Sequence, residues 1–364
     1  MKKPDQRVLR QNELKMRLSK EGFACLLVSH IPNIRYLTGF SGSAGVLCIG
    51  PNEAVFFTDG RYRDQAGEEI GAAAEIRIVD RGAWQEAVET ATELAGSNGT
   101  VGFEADYLSF SEGRSLAEEG KVPLSGWVEE LRVVKAPEEI DAIREAVRIA
   151  FDALEEVLAR IRVGESELEI ASNLERALRA RGSEWHPFET IVAGGPRSGL
   201  PHARTTERKI VPGDLLLLDF GARVRGYCAD VTRTVVVGRR PDERQAEVYE
   251  LVARAQREAI SGLKAGVTGR EVDGMARAVL EEAGWGDAFS HSLGHGLGLE
   301  VHEEPRLAKT SEAKLRSGSV VTVEPGLYWA DWGGVRIEDD VLVLDETGSE
   351  VLGDWNTDLR VVGN

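Results

Sequence analysis

At 364 residues the chain has room for two domains of ordinary size. Hydrophobic residues make up 42% of it and charged residues 29%, which suits a protein with a sizeable core and excludes one dominated by disorder. With 44 Lys+Arg against 61 Asp+Glu the net charge is −17, which argues against nucleic acid as a partner, because neutralising phosphates takes clustered cations.

In chain order, the two early lysines are followed by no apolar stretch, so no secretory signal is expected. No run of about 18 apolar residues occurs, so no membrane span or membrane partner is expected either, and the cytoplasm is the default location. Residues 1–130 read as an α/β domain. Helical patterns lie at Gln6–Lys20 and Ala83–Ala95. Strand-like apolar runs lie at Ala24–Val28, Gly45–Ile49, Ala54–Thr58, Ile76–Val79 and Val101–Phe103. Cys25, Cys48 and Cys228 have apolar neighbours and no metal or redox spacing, so buried free thiols in a reducing compartment are expected.

Residues 131–137 read as a linker and 138–364 as a second domain. Pro137 suits a first helical turn, with Glu138 and Glu139 favourable at the positive end of the helix dipole. The helical pattern stops near Gly164, and a second helix spans Glu165–Arg181. Segments 210–224 and 227–237 flank Arg225-Gly226 and predict a β-hairpin. Helices follow at Asp242–Lys264 and Gly269–Ala283. Strands are then expected at Ser319–Val323 and Val335–Leu344, joined by a loop containing Gly333-Gly334. Helix–helix–hairpin therefore occurs twice, which suggests a weak internal duplication.

Four acids stand on apolar strands. Asp219 follows four leucines, Asp230 lies between Ala229 and Val231 on the partner strand, Glu324 closes Ser319–Val323, and Glu338 follows Ile337. Burying one carboxylate costs several kcal/mol. Two like charges about 4 Å apart repel by roughly 4 kcal/mol even at moderate dielectric. Two divalent cations would neutralise four such groups. Taken singly, each acid could equally be a strand-edge carboxylate or an arginine partner. The six histidines are concentrated: His291, His295 and His302 fall within Ser290–Glu303, where glycines around His295 would let the ring approach a metal closely. His202 sits on a loop, where a solvated residue is the plainer reading. His30 and His186 are given no role. Oxygen ligands with one nitrogen suit Mn²⁺, with Co²⁺, Zn²⁺ and Fe²⁺ as alternatives.

These residues resemble the pita-bread metallopeptidases, which include Xaa-Pro aminopeptidase, prolidase and methionine aminopeptidase. The resemblance rests on Leu217-Leu-Asp-Phe-Gly221, Ala229-Asp-Val-Thr-Arg-Thr234, Gly294–Glu303, Val323-Glu-Pro-Gly326 and Gly334-Val-Arg-Ile-Glu-Asp339. Asn33–Ser43 and Thr58-Asp-Gly-Arg-Tyr62 resemble the N-terminal domain of the proline-directed branch, which methionine aminopeptidases lack. The implied fold is an α/β N-terminal domain plus an α+β C-terminal pita-bread (creatinase/aminopeptidase-like) domain. The implied metal ligands are Asp219, Asp230, His295, Glu324 and Glu338. Glu324 doubles as general base. His202 and His302 bind substrate and stabilise the tetrahedral intermediate, and Arg336, beside the site, and His291, near the group, are implied substrate-binding residues as well.

The resemblance implies an exopeptidase that uses two divalent ions to activate water, acts on peptides with proline at the second position, and forms a homodimer. Xaa-Pro aminopeptidase is the main reading and Xaa-Pro dipeptidase (prolidase) the alternative. Arg336 could take a free proline carboxylate in either. A metal-free binding or scaffold protein on the same fold, or a metal-free hydrolase of the creatinase kind, is opposed by the presence of all five ligand positions.

Overall fold

A computed structural model describes residues 5–80, 82–353 and 355–363. The chain divides into two compact units, Met1–Arg132 and Val133–Asn364.

The first unit runs α1 (Gln6–Lys20), β1 (Phe23–Val28), α2 (Ile31–Thr38), β2 (Val46–Ile49), β3 (Ala54–Thr58), α3 (Arg63–Ile70), β4 (Glu75–Ile78), α4 (Ala83–Ala95), β5 (Thr100–Glu104), α5 (Phe110–Glu118), β6 (Val122–Leu124) and α6 (Glu129–Arg132). α1 starts where it does because the Asp5 side chain accepts the Arg7 N–H, satisfying one of the orphan donors at a helix start. The mixed sheet has the order β4-β3-β2-β1-β5-β6. Its apolar runs are buried because α4 covers them, with Ala87 and Ala91 against Cys25, Leu27, Cys48 and Phe57. Cys25, Cys48 and Cys228 are all buried and free.

The second unit begins with α7 (Pro137–Leu158) and α8 (Glu167–Ala180), followed by β7 (Ile191–Gly194), β8 (Leu215–Phe220), β9 (Arg223–Val224), β10 (Tyr227–Cys228) and β11 (Val231–Val237). Next come α9 (Glu243–Gly262) and α10 (Gly269–Glu282). Then come β12 (Gly294–Gly296), β13 (Glu303–Leu307), β14 (Val320–Val323), β15 (Gly326–Trp329), β16 (Gly333–Arg336), β17 (Asp339–Val343), β18 (Ser349–Val351) and β19 (Val361–Val362). One sheet has the order β19-β11-β8-β7 and the other β13-β12-β14-β17-β18. Among the described residues, no helix is long and apolar enough to cross a membrane.

The period-two alternation of a strand decides which residues reach the site. On β8, Leu216, Leu218 and Phe220 pack into the core under α7 and α8. Leu215 faces the other core, under α9 and α10, and Asp219 shares its parity. On β11, Val231, Val235 and Val237 go to the first core, leaving Thr232 and Thr234 on the face of Asp219. Arg225 (φ 51°) and Gly226 (φ 83°) form the tight connection with both central residues left-handed, as a two-residue hairpin turn requires. It pairs Val224 with Tyr227, and further along the hairpin Asp219 pairs with Thr232.

Two expectations for the last strands need correction. Gly333-Gly334 is not in a loop: it opens β16, which pairs with β15 as a separate antiparallel ribbon. The run 335–344 is not one strand. It breaks at Ile337-Glu338, where the chain leaves that ribbon and enters the five-stranded sheet as β17. At the break the Glu338 N–H donates to Thr232 O at 3.1 Å, a single bridge to the other sheet. Of the four acids, only Asp219 therefore lies within a strand. Asp230 precedes β11, Glu324 follows β14, and Glu338 lies between two strands, because strand ends leave side chains free to converge.

Candidate metal centre

Asp219, Asp230, Glu324 and Glu338 all line one cavity of about 480 Å³ in the second unit, together with His202, His291, His295, His302 and Arg336. His30 and His186 are elsewhere: the ring of His30 stacks on Tyr107 in the first unit, and that of His186 packs on Trp185.

Asp230, His295 and Glu338 offer ligand atoms that all lie within 4.8 Å of one another. His295 Nε2 stands 3.5 Å from Glu324 Oε1 and 3.9 Å from Asp230 Oδ2. Its Nδ1 is 3.1 Å from Gly296 O. A carbonyl can only accept, so Nδ1 carries the proton and the Nε2 lone pair is directed at the acids. The glycines beside His295 are required by the packing of the backbone itself. A Cβ on Gly294 would fall 2.0 Å from Thr322 O, and one on Gly296 would fall 2.3 Å from Glu304 O. They let neighbouring backbone approach β12, so that His295 alone projects from it towards the acids.

The acids are held by a polar layer. Thr232 Oγ1 donates to Glu338 Oε2, and the Asp230 N–H donates to Asp340 Oδ2 at 3.1 Å. Arg336 donates through Nη2 to Asp219 Oδ2, through Nε to Thr232 Oγ1 at 3.1 Å, and through Nη1 to Tyr328 OH at 3.0 Å and Pro201 O at 3.2 Å. Tyr328 OH lies 2.8 Å from His291 Nε2, whose Nδ1 is 2.7 Å from Ser292 O. Arg233 is buried beside the stacked rings of Phe151 and Trp355, its guanidinium carbon 4.8 and 4.9 Å from their centroids. It donates to Glu338 O at 2.7 Å and to Asp339 Oδ1 at 2.6 Å.

Of this layer, Arg336 and His291 are expected at the site from sequence, whereas Thr232, Arg233, Tyr328, Asp339 and Asp340 are given no role there. For Asp339 and Asp340 a signal existed, since they sit in the same apolar run as Glu338. For Arg233 the signal was its place in Ala229–Thr234, and for Tyr328 there was none, because an aromatic on a strand is an ordinary core residue.

The electrostatics call for cations. Burial, then repulsion from Glu338, Asp219, Asp340 and Glu324, holds the Asp230 carboxyl well above its ordinary range. Burial and Glu338 do the same to Glu324, and burial and Asp219 push Glu338 up to about 8. Asp219 is raised less sharply, because Arg336 opposes its desolvation. Desolvation, with His302 adding to it, lowers His295 to about 3, so its ring is neutral. Asp219 Oδ1 is buried with no hydrogen-bond partner. An orphaned carboxylate oxygen, repelling acids and an aimed imidazole lone pair are what a divalent-cation site requires, so these residues fit one.

Residues 141–345 match metallopeptidase family M24, and residues 10–134 match the creatinase/prolidase N-terminal domain. The chain belongs to metallopeptidase family M24, whose members use divalent metal ions. It is 42% identical over 339 residues to the uncharacterized peptidase YqhT of Bacillus subtilis, covering 91% of this chain and 94% of that one. It superposes on the Xaa-Pro dipeptidase from Bacillus anthracis with a TM-score of 0.92 at 40% identity, covering 98% and 100% of the two chains. For the X-Pro aminopeptidase from Thermotoga maritima the TM-score is 0.88 at 36% identity, covering 97% and 99%. The fold is thus a creatinase-type N-terminal domain followed by a pita-bread domain.

Proposed function

We propose that this protein is a proline-directed exopeptidase that removes the first residue from peptides with proline in second place. The observation that carries the proposal is the convergence of four carboxylates and one metal-competent imidazole in a cavity that also displays three further histidines. Asp219, Asp230, His295, Glu324 and Glu338 would hold two divalent cations, Mn²⁺ first given the oxygen-rich donor set. When bound, such ions supply Lewis acidity and lower the pKa of water.

The chain's own groups do the rest. Glu324, half-buried at the end of β14, takes the proton of the attacking water and passes it to the leaving proline nitrogen. His202 and His302 face the cavity from exposed positions and donate to the oxygen on which charge develops. His291 contributes a fixed wall, since both its ring nitrogens are already engaged by Ser292 O and Tyr328 OH. Arg336 gives its donors to Asp219, Thr232, Tyr328 and Pro201. Its task is to hold these groups rather than to grip peptide. The exposed cations lining the cavity are Arg204 and Arg306.

Aminopeptidase action on peptides of several lengths is the main reading, carried out in the cytoplasm by a homodimer. The likeness to the B. anthracis dipeptidase favours a second, in which only Xaa-Pro dipeptides are cut. Hydrolysis of Ala-Pro and Ala-Pro-Ala by the Mn²⁺-loaded protein tests both. Cleavage of both peptides supports the first reading and cleavage of Ala-Pro alone the second. Cleavage of neither, with fewer than about one metal bound per chain, ends the peptidase reading.

A further inference from the structure

The segment Phe289–Leu293, which carries His291 into the cavity wall and leads into β12, lies outside every strand on its approach to the site. Its backbone is instead held by two side chains of α10. Asp273 and Arg277, four residues apart and both buried, form an ion pair with Arg277 Nε at 2.9 Å and Nη2 at 3.0 Å from the two Asp273 oxygens. The same guanidinium donates through Nη1 to Phe289 O at 3.1 Å and through Nη2 to His291 O at 3.0 Å. Asp273 Oδ1 accepts the Leu293 N–H at 3.1 Å. Residues 289, 291 and 293 are therefore gripped in turn by carbonyl, carbonyl and amide, as a neighbouring strand would grip them.

Two further contacts carry this grip to the site. The guanidinium lies 4.2 Å over the Phe289 ring, which meets the His291 ring edge-on at 5.0 Å. Leu293 O accepts the Glu324 N–H at 2.9 Å, so the amide held by Asp273 belongs to the residue that also anchors Glu324. Neither Asp273 nor Arg277 lines the cavity.

We propose that Asp273 and Arg277 are positioning residues for the hydrolytic site, acting as a substitute strand that fixes His291 against Tyr328 and Glu324. The planar five-donor fork of arginine is what allows one side chain to bind a carboxylate and two carbonyls at once. A lysine keeps the charge but has no such fork. The pair acts through His291, and the inference rests on the peptidase reading for its kinetic part only.

The test compares the parent, Arg277→Lys, His291→Ala and the double variant, each loaded with Mn²⁺, using Ala-Pro-Ala. Arg277→Lys is expected to keep its melting temperature within a few degrees and to lose kcat on the order of 10- to 100-fold, the scale of an ångström-sized misplacement. The double variant is expected to be no slower than His291→Ala alone. An equal further loss in both backgrounds overturns the proposal, as does parent-like kcat. Asp273→Asn serves as the second variant, read by its kcat and melting temperature in the parent background, because Asp273 also holds Leu293 beside Glu324; parent-like kcat counts against the proposal.

A readout independent of turnover is the ¹⁵N spectrum of His291 in the Zn²⁺-loaded protein. The parent should show one neutral tautomer with the proton on Nδ1, and Arg277→Lys a mixture. If the parent does not cleave the peptide, the peptidase reading falls and this spectrum alone decides the positioning role. Identical spectra in parent and variant refute it.

Discussion

His295 presents Nε2 to Glu324 Oε1 at 3.5 Å while Gly296 O holds its other nitrogen at 3.1 Å. The second contact fixes the tautomer and leaves the Nε2 lone pair facing the acids. His295→Ala should therefore lower bound Mn²⁺ to about one ion per chain or fewer, read by elemental analysis after gel filtration. Its fold should survive, because the ring fills a cavity wall rather than a core. Undiminished metal content would remove His295 from the ligand set.

Asp230 is repelled by four neighbouring acids, so in metal-free protein its charge destabilises the fold. Asp230→Asn should raise the melting temperature of the chelated protein by a few degrees, about 1–2 kcal/mol. It should also abolish the additional rise that Mn²⁺ gives the parent through binding to the folded state. Melting curves with chelator and with Mn²⁺ give both numbers. A variant less stable than the parent in chelator contradicts the repulsion argument.

The pH dependence of the metal-free protein has a definite sign. An unfolded glutamate titrates near 4.5, whereas Glu338 is pushed up to about 8. Between these values the folded state binds more protons, so stability falls as pH rises. His291 and His295 are lowered to about 4 and about 3 from an ordinary 6.5. The unfolded state therefore binds more protons below about 6.5, and stability there is lost as pH falls. The two trends oppose each other until the unfolded imidazoles are mostly neutral, and above about pH 7 the carboxylates prevail. From about pH 7 to 8 the chelated protein should become progressively less stable, and Mn²⁺ should remove that slope. A midpoint rising across this interval in chelator would contradict the assignment.

Arg233 is a fully buried cation facing Asp339. Its removal leaves that carboxylate uncompensated and withdraws the donor to Glu338 O. Arg233→Ala should cost on the order of 3–5 kcal/mol of unfolding free energy, measured by denaturant titration. A loss below about 1 kcal/mol would show that water or another group replaces the guanidinium.

Much of this was legible from the chain because apolar runs make misplaced charge conspicuous. Leu215–Leu218 before Asp219 and Val320–Val323 before Glu324 mark acids that water does not solvate. The Arg225-Gly226 turn was legible because Gly226, which takes a left-handed position freely, falls between two strand-like runs. The ribbon of β15 and β16 was not, since Gly326, Gly333 and Gly334 carry no periodic signal and read as loop. Nor was the clamp on α10, because Asp273 and Arg277 at helical spacing look the same as a solvated surface pair. Only the tertiary packing shows that this face of the helix is turned inward. The engagement of Arg336 was equally hidden, since its four acceptors come from positions 201, 219, 232 and 328.

The passage of the chain through Glu338 bears on how the protein matures. One hairpin brings Asp219 and Asp230 to the cavity, the five-stranded sheet brings His295 and Glu324, and the fifth candidate donor sits where the backbone passes from the β15–β16 ribbon into that sheet and bridges to the hairpin at Thr232. During synthesis, four of the five donors leave the ribosome before the fifth, and the mutual repulsion they create has no full remedy until that last crossing is made. Loading with metal should therefore follow the closing of the second sheet.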